Sequence, residues 1–118
     1  MHKHDVDKLN EIKPTLTPSS EIATFTNFFK AFGNQTRARI LLALFDLKEL
    51  CQYEICYLLD MEKSAISHQM KILIENRVVK SKKVGKEVFY RLHDEHVITL
   101  IETTKEHIYG QFEENTNE

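Results

Sequence analysis

The sequence contains few of the residues on which several classes of protein depend. Its 118 residues include only two cysteines and three glycines, and no apolar run approaches the about 20 residues of a membrane-spanning helix. Two cysteines are too few for a disulfide framework, so reduced thiols are expected. The scarcity of glycine argues against a glycine-rich phosphate loop, and no Cys-His or Ser-His-Asp arrangement follows from the spacing. An enzyme is therefore not expected.

The start of the chain, MHKHDVDKLNEIKP, is polar and has no apolar core of a secretory signal. We therefore expect a cytoplasmic protein with no membrane partner. Apolar residues make up 42 % and charged residues 29 %, values typical of a soluble globular protein. The predicted organisation is a polar arm over residues 1–16, one folded domain over 17–112 and a polar tail over 113–118.

Charge is unevenly distributed along the chain. The net charge is only −2, yet residues 63–91 carry eight basic and two acidic side chains, a local charge of +6. Local charge governs docking on phosphates more than the total does, so this segment is the candidate DNA-binding region. A solvated basic face without a partner is the alternative.

Four segments of helical periodicity come first. TPSSEIATFTNFFKAFG has Thr17 as a predicted N-cap, Pro18 at the first helical position and Gly33 as a stop, and NQTRARILLALF begins at the cap Asn34. Two shorter helices follow, in ELCQYEICYLLD and MEKSAISHQMKILIENRVV. The arm is predicted to hold at most a short helix that stops at Pro14. The predicted apolar stripes are Ile22, Phe25, Phe29 and Phe32; Ile40, Leu41, Leu44 and Phe45; Ile55, Leu58 and Leu59; and Ile66, Met70, Leu73 and Ile74.

Period-two alternation then replaces the helical pattern. VKSKKVGKEVFYRL predicts a β-hairpin about Gly85, and the last segment returns to a helical period. The third and fourth helices are joined only by residues 60–62, which is helix-turn-helix spacing. A hairpin directly after that pair predicts a mainly α fold with a β-hairpin wing (α+β), a winged helix-turn-helix.

The fourth helix and the hairpin carry the predicted DNA contacts. A helix that enters the major groove needs small polar and cationic residues on its exposed face, and lysines at a hairpin tip suit the phosphate backbone or the minor groove. An ordinary amphipathic helix and lysines that only protect a sheet edge are the alternatives. The predicted DNA-binding residues are Lys63, Ser64, Ser67, His68, Gln69 and Lys71 on the helix and Lys82, Lys83, Lys86 and Arg91 on the hairpin.

Three stretches together, NQTRARILLAL, ELCQYEICYLLDMEKSAISHQMKILIENRVV and KKVGKEVFYRL, resemble the ArsR/SmtB family of metal-sensing transcriptional repressors. The resemblance covers about residues 20–110. It implies a homodimer formed through the first and last helices, which binds double-stranded operator DNA and is released by an inducer.

The resemblance implies two possible inducer positions, the first on the third helix. Arsenic, lead and cadmium sensors of the family have Cys-x-Cys after Glu-Leu, whereas here Cys51 is followed by Tyr53. On one helix, Cys56 would point about 140° away from Cys51. A thiolate site for a soft ion is therefore disfavoured, and small buried hydrophobes are the simpler interpretation. Redox sensing by Cys51 stays open, as does a regulator with no metal response.

The second position is the last helix. His96 and His107 are eleven residues apart, so on one straight helix they share a face but lie about 16 Å apart, too far to share one ion. In the zinc, cobalt and nickel sensors of the family this helix pairs antiparallel with its copy, which implies metal ligands Asp94, His96 and His107 drawn from two chains. Asp94 as a plain helix cap is the alternative.

The family's fourth ligand position falls on Gly110, which has no side chain. A divalent zinc, cobalt or nickel ion is the expected inducer, and a water molecule or a nearby side chain would complete its coordination. The candidate side chains are Glu106, Gln111, Glu113, Glu114, His93, His2 and His4.

Overall fold

The structure is a computed structural model that describes residues 2–110. Its helices are α1 (Val6–Ile12), α2 (Ser19–Phe32), α3 (Gln35–Leu47), α4 (Gln52–Leu59), α5 (Lys63–Glu75) and α6 (Glu95–Lys105). A 3₁₀ turn, Lys13–Thr15, follows α1, and a π-helical turn, Glu106–Gly110, follows α6. The strands are β1 (Leu50–Cys51), β2 (Val79–Val84) and β3 (Glu87–Leu92). The predicted tail and domain end, including Gln111, Glu113 and Glu114, lie outside the described residues.

Helix caps explain most of the helix boundaries. The Asn34 side chain accepts the backbone N–H of Arg37 at 2.9 Å and so begins α3 as predicted, and Gly33 ends α2. The predicted start of α2 is wrong by one residue, because Pro18 has an extended ψ of 153° and is itself the N-cap. The arm does hold a short helix, α1, and Pro14 lies in the 3₁₀ turn that follows it.

The helix-turn-helix has the predicted three-residue connection between α4 and α5. Asp60 ends α4 in the left-handed region, at φ 53° and ψ 46°. The next backbone N–H, that of Met61, donates to the Cys56 carbonyl at 3.1 Å. These features turn the chain sharply after α4, and α5 begins only three residues later.

The wing is a three-stranded antiparallel sheet with strand order β1-β3-β2. The β2–β3 hairpin turns at Gly85, whose φ of +63° is the conformation that favours glycine, as the hairpin prediction requires. Strand β1 differs from the prediction, because the sequence pattern places its two residues in the third helix. They are strand because Leu50 and Cys51 pair with Tyr90 and Phe89.

The core lies between the helix-turn-helix, the sheet and α6. The predicted faces of α3 and α5 are largely confirmed, and the hairpin face with Tyr90 and Leu92 is buried over them. The largest fully buried side chains are Ile40, Leu41, Leu44, Ile55, Ile66, Met70, Leu73, Val78 and Val79. The mainly α fold with a β wing, a winged helix-turn-helix, is therefore confirmed.

The stripe on α2 differs from its prediction. Phe25 is 62 % exposed and Phe29 46 % exposed, and Ile22 is exposed as well. Only Phe32 is partly buried, because α2 packs on α3 at its C-terminal end. The helical period of the stripe is correct, but within one chain its first three members face solvent. Leu58 and Ile74 are likewise more exposed than predicted.

No helix within residues 2–110 is long and apolar enough to cross a membrane.

Candidate nucleic-acid interface and metal positions

One face of α5 anchors the helix and the other is free. Ile66, Met70 and Leu73 are buried in the core, and this fixes the helix axis against α3 and β2. The predicted DNA-binding residues Lys63, Ser64, Ser67, His68 and Lys71 are all exposed. The helix therefore presents hydroxyl, imidazole and ammonium groups to solvent, which is the chemistry needed to contact phosphates and base edges.

Gln69 differs from the other predicted contacts on α5, because it is half-buried and already hydrogen-bonded. The Arg37 guanidinium donates through Nη1 to Gln69 Oε1 at 3.0 Å. The same guanidinium donates to the backbone carbonyls of Ala31 and Lys30 at the end of α2, at 3.0 and 3.2 Å. The side chain of Arg37, a residue of α3, thus links α2 and α5 to α3.

A second contact joins the two helices of the helix-turn-helix. Gln52, the first residue of α4, donates through Nε2 to the hydroxyl of Ser67 and, at 3.4 Å, to the carbonyl of Lys63. The Ser67 hydroxyl accepts in this bond, so its own O–H remains free to donate to a ligand. Sequence patterns missed both Gln52 and Arg37, because their partners lie 15 and 32 residues away.

The wing carries its basic residues on the hairpin next to α5. Lys82, Lys83 and Lys86 are exposed about the Gly85 turn, and Arg91 is exposed on β3. Lys86 at the turn and Lys63 at the start of α5 line one cavity of about 320 Å³. The structure therefore brings one residue from each of the two predicted basic groups to the same cavity.

Both cysteines line this cavity as well, together with Tyr53 and Gln52. The assumption that both cysteines lie on one helix is wrong, because Cys51 has extended backbone and is the N-cap of α4 rather than part of that helix. The Cys51 backbone N–H donates to the Glu54 carboxylate at 2.9 Å. This hydrogen bond lowers the pKa of Glu54 below its usual value. Neither thiol is in a disulfide.

The predicted metal ligands at the start of α6 are close together. Asp94 is the N-cap of α6, the role predicted as the alternative to metal binding. Its Oδ1 accepts a hydrogen bond from the Val97 N–H at 3.1 Å. His93 Nδ1 donates to Asp94 Oδ2 at 3.1 Å, and His96 Nδ1 lies 3.7 Å from Oδ1. These contacts, the His93 hydrogen bond above all, hold the pKa of the Asp94 carboxyl below its usual value. The His96 ring is 97 % exposed.

His107 is separated from this cluster by the length of α6. It lies in the π-helical turn that also contains Gly110, and its side chain is exposed. The assumption of one uninterrupted α-helix holds only to Lys105, because the π turn is wider and alters the phase after that residue. Within residues 2–110 of one chain, no three His, Cys, Asp or Glu side chains lie close enough to hold a metal ion.

The fold and this surface define the class of protein: a winged helix-turn-helix, with an exposed polar face on α5 and a basic wing. The family described as bacterial regulatory protein, arsR family, matches residues 34–81. The transcriptional repressor SmtB homolog of Synechocystis sp. is 30 % identical over 87 % of this chain and 77 % of that protein. The chain therefore belongs to the ArsR/SmtB family of transcriptional repressors, which are DNA-binding regulators and not enzymes.

Two further relatives are informative. The cadmium resistance transcriptional regulatory protein CadC homolog of Staphylococcus aureus is 32 % identical over 81 % of this chain and 78 % of that protein. The homodimeric winged helix-turn-helix DNA-binding domain Mb0332 of Mycobacterium bovis superimposes with a TM-score of 0.67 at 20 % identity, covering 92 % of this chain and 94 % of that one. The second likeness concerns the fold alone.

Proposed function

We propose that this repressor binds operator DNA as a homodimer through α5 and the wing. In this proposal it is released when a divalent metal of the zinc, cobalt or nickel type binds between the two copies of α6. Each α5 occupies a major groove, and the two grooves lie about 34 Å apart on one side of the duplex.

The DNA half of the proposal depends above all on one observation, the cavity shared by Lys63 of α5 and Lys86 of the wing. Because the two residues line one cavity, we expect a duplex that meets α5 to meet the wing as well. Phosphate contacts from lysines position a protein on DNA, and the polar face of α5 then reaches base edges. The residues assigned to these contacts are Lys63, Ser64, Ser67, His68, Gln69, Lys71, Lys82, Lys83, Lys86 and Arg91.

The dimer is supported by apolar side chains that one chain leaves exposed. The exposed rings of Phe25 and Phe29 on α2 pack at a tilt of 55° with their centroids 5.1 Å apart, and Ile108 and Tyr109 lie exposed after α6. Contiguous exposed apolar surface on a small regulator marks an interaction site. A second copy is the partner we assign to it, in keeping with the homodimeric fold relative and with the family resemblance.

The metal half of the proposal is supported by the ligands themselves. Asp94 and His96 supply oxygen and imidazole donors that suit zinc, cobalt and nickel, and the exposed His96 ring is free to turn. A bound divalent ion supplies positive charge and fixed ligand geometry. His107 of the second copy would complete the set in an antiparallel pair of α6 helices. The name of the CadC relative supports a metal inducer in general.

The structure also contains a physical connection between the two halves. Thr24 and Phe28 of α2 line a cavity together with Asp94 and His96. The far end of α2 is held by Arg37, which contacts α5. A shift of α6 against α2 on metal binding would therefore reach α5. By linkage, DNA must weaken metal binding by the same factor by which metal weakens DNA binding.

The experiment is a fluorescence-anisotropy titration of a labelled upstream DNA fragment at fixed salt. It is run with chelator and then with zinc, cobalt, nickel, cadmium and arsenite in turn. We expect one of the first three metals to raise the dissociation constant and His107→Ala to abolish that rise, whereas the control Thr103→Ala, an exposed change on the same helix, retains it. Unchanged DNA affinity with every metal would contradict the metal half and leave the DNA half intact.

Thiol sensing is the second candidate, favoured by the cavity that both cysteines line between α4 and the wing. An oxidant or a soft ion bound there would act beside Lys63 and Lys86, where DNA binds. The same titration, with hydrogen peroxide or arsenite added, distinguishes the two candidates. Cys51→Ser should remove a thiol response and leave a histidine-metal response unchanged.

A further inference from the structure

We propose that Arg37 fixes the orientation of the Gln69 amide, so that at this position α5 offers DNA hydrogen-bond donors in preference to an acceptor. The consequence is a preference for guanine over adenine at the base pair that Gln69 reads. This inference rests on the proposed function, because it requires α5 to lie in the major groove.

The Arg37 side chain is held by backbone. Its Nε and Nη2 donate to the carbonyls of Ala31 and Lys30, which lie at the C-terminal end of α2. The last carbonyls of a helix lack intrahelical partners and carry partial negative charge, so a guanidinium is well placed there. Its backbone N–H is bound by the Asn34 cap. Two of its three guanidinium nitrogens are thus committed, and the third, Nη1, faces Gln69.

The identity of the atom that faces Arg37 follows from chemistry. A guanidinium has five donors and no acceptor, so only the amide oxygen of Gln69 can lie 3.0 Å from Nη1. The amide nitrogen is bonded to the same carbon and diverges from the oxygen, so it is not the atom that faces Arg37. Among residues 2–110, Gln69 Nε2 donates to no protein acceptor, whereas the side-chain oxygen of its neighbour Ser67 already accepts from Gln52. Both N–H groups of Gln69 are therefore available to a ligand.

This orientation disfavours one way of reading a base. A glutamine binds adenine with two hydrogen bonds by accepting from N6 and donating to N7. Oε1 already accepts from the charged Arg37 guanidinium and is turned towards it, so the accepting half of that pair is weakened, whereas the donating half is unaffected. Guanine presents two acceptors, N7 and O6, in the major groove and is the base best matched to two donors. The polar face of α5 is thereby made selective by a residue that itself does not contact DNA.

The test is selection from a randomised duplex library with the full-length protein. Gln69→Ala identifies the base pair that Gln69 reads, because preference is lost there and kept elsewhere. At that base pair we expect wild type to select guanine. Arg37→Met should shift the guanine-to-adenine preference by about tenfold towards adenine, since the freed amide can then turn and bind adenine twice. Arg39→Met, an exposed change on the same helix, is the matched control and should select as wild type does.

Arg37→Met also removes a contact to the end of α2 and could change base preference by destabilising the fold. A second variant separates these two explanations. In Gln69→Glu the carboxylate still accepts from Arg37 but has no N–H to donate. Guanine preference should disappear while the melting temperature, followed by circular dichroism, does not fall. A merely structural role for the Arg37–Gln69 pair predicts instead that Gln69→Glu leaves base preference unchanged.

Three results would overturn the inference. The first is an unchanged base preference in a folded Arg37→Met protein. The second is selection of adenine by wild type, with affinity lost when purine, which lacks the N6 amino group, replaces that adenine. The third is that Gln69→Ala loses preference at no position. Failure of wild type to enrich any sequence would refute sequence-specific DNA binding itself, and with it this inference.

Discussion

The proposed DNA-binding surface and the proposed metal ligands differ in how completely one chain assembles them. On α5, Gln69 and Ser67 are already bound by Arg37 and Gln52, and the helix is anchored by buried residues. At α6, Asp94 lies together with His93 and His96 while His107 is a helix length away, and no group of three side chains within residues 2–110 is arranged to hold a metal ion. One surface is organised by the fold of a monomer. The other, under our proposal, is completed only by a second copy, so metal sensing depends on assembly in a way that the arrangement of α5 does not.

The largest expected effect comes from preventing that assembly. Phe25→Glu combined with Phe29→Glu places two charges on the exposed face of α2, and we expect a folded monomer. Because two linked half-sites bind far more tightly than one, affinity for a palindromic operator should fall by about 10²- to 10⁴-fold. Light scattering after size exclusion measures the mass, and anisotropy measures the affinity.

The control for this change is Tyr57→Glu, on an aromatic residue of α4 that is 72 % exposed. It adds charge at an exposed aromatic position away from α2, and the dimer should persist. A dimer that also survives the double change on α2 would show that α2 is not part of the interface.

An intermediate effect is expected from mixing two defective proteins. His96→Ala and His107→Ala should each bind no metal at α6 as pure dimers. In a mixed dimer, His96 of one chain meets His107 of the other at one of the two sites, so one metal per dimer should return. Isolation of the mixed dimer with two affinity tags, followed by metal analysis, gives the stoichiometry. Continued absence of metal from the mixed dimer would exclude a site shared between chains.

The smallest effect concerns a single wing lysine. Lys82→Ala removes one exposed charge on β2 without disturbing the core. If Lys82 contacts a phosphate, the slope of log affinity against log salt should fall by about one, equally for operator and unrelated DNA. Glu87→Gln on the opposite strand is the paired change, and it should not reduce the slope. A sequence-dependent loss in Lys82→Ala would instead indicate contact with a base.

Much of the fold follows from local sequence. The cap Asn34, the turn at Gly85 and the periods of α3, α5 and the hairpin each depend on residues close together in the chain, and each was predictable. Strand β1 was not, because Leu50 and Cys51 are strand only through partners about 40 residues later. The stripe on α2 was identified but misassigned to the core, since a helical period reveals an apolar face and not what covers it.

In the candidate site, too, the features that depend on local sequence were predictable and those that depend on tertiary contacts were not. Exposed serines, a histidine and lysines on α5 were predicted from their spacing, and Asp94 as a cap was predicted from its position before an apolar helix. The Arg37 contact was not predictable, because it depends on how α2 and α5 approach each other in space. The π turn at Gly110 was also missed, and with it the change of phase that bears on His107.

The short strand β1 has a consequence for the spacing between α5 and the wing, and so for the length of DNA that one half-site would need. Cys51 is paired to the wing through Phe89 and is also the residue from which α4 starts, so the helix-turn-helix and the wing are tied together by backbone hydrogen bonds. This pairing opposes a hinge motion between the two parts. One base pair turns the duplex by about 34°, so under our proposal an insertion between the bases at α5 and the phosphates at the wing would require such a motion. We therefore expect each half-site to tolerate changes of internal length poorly, whatever freedom the dimer has to vary the spacing between halves.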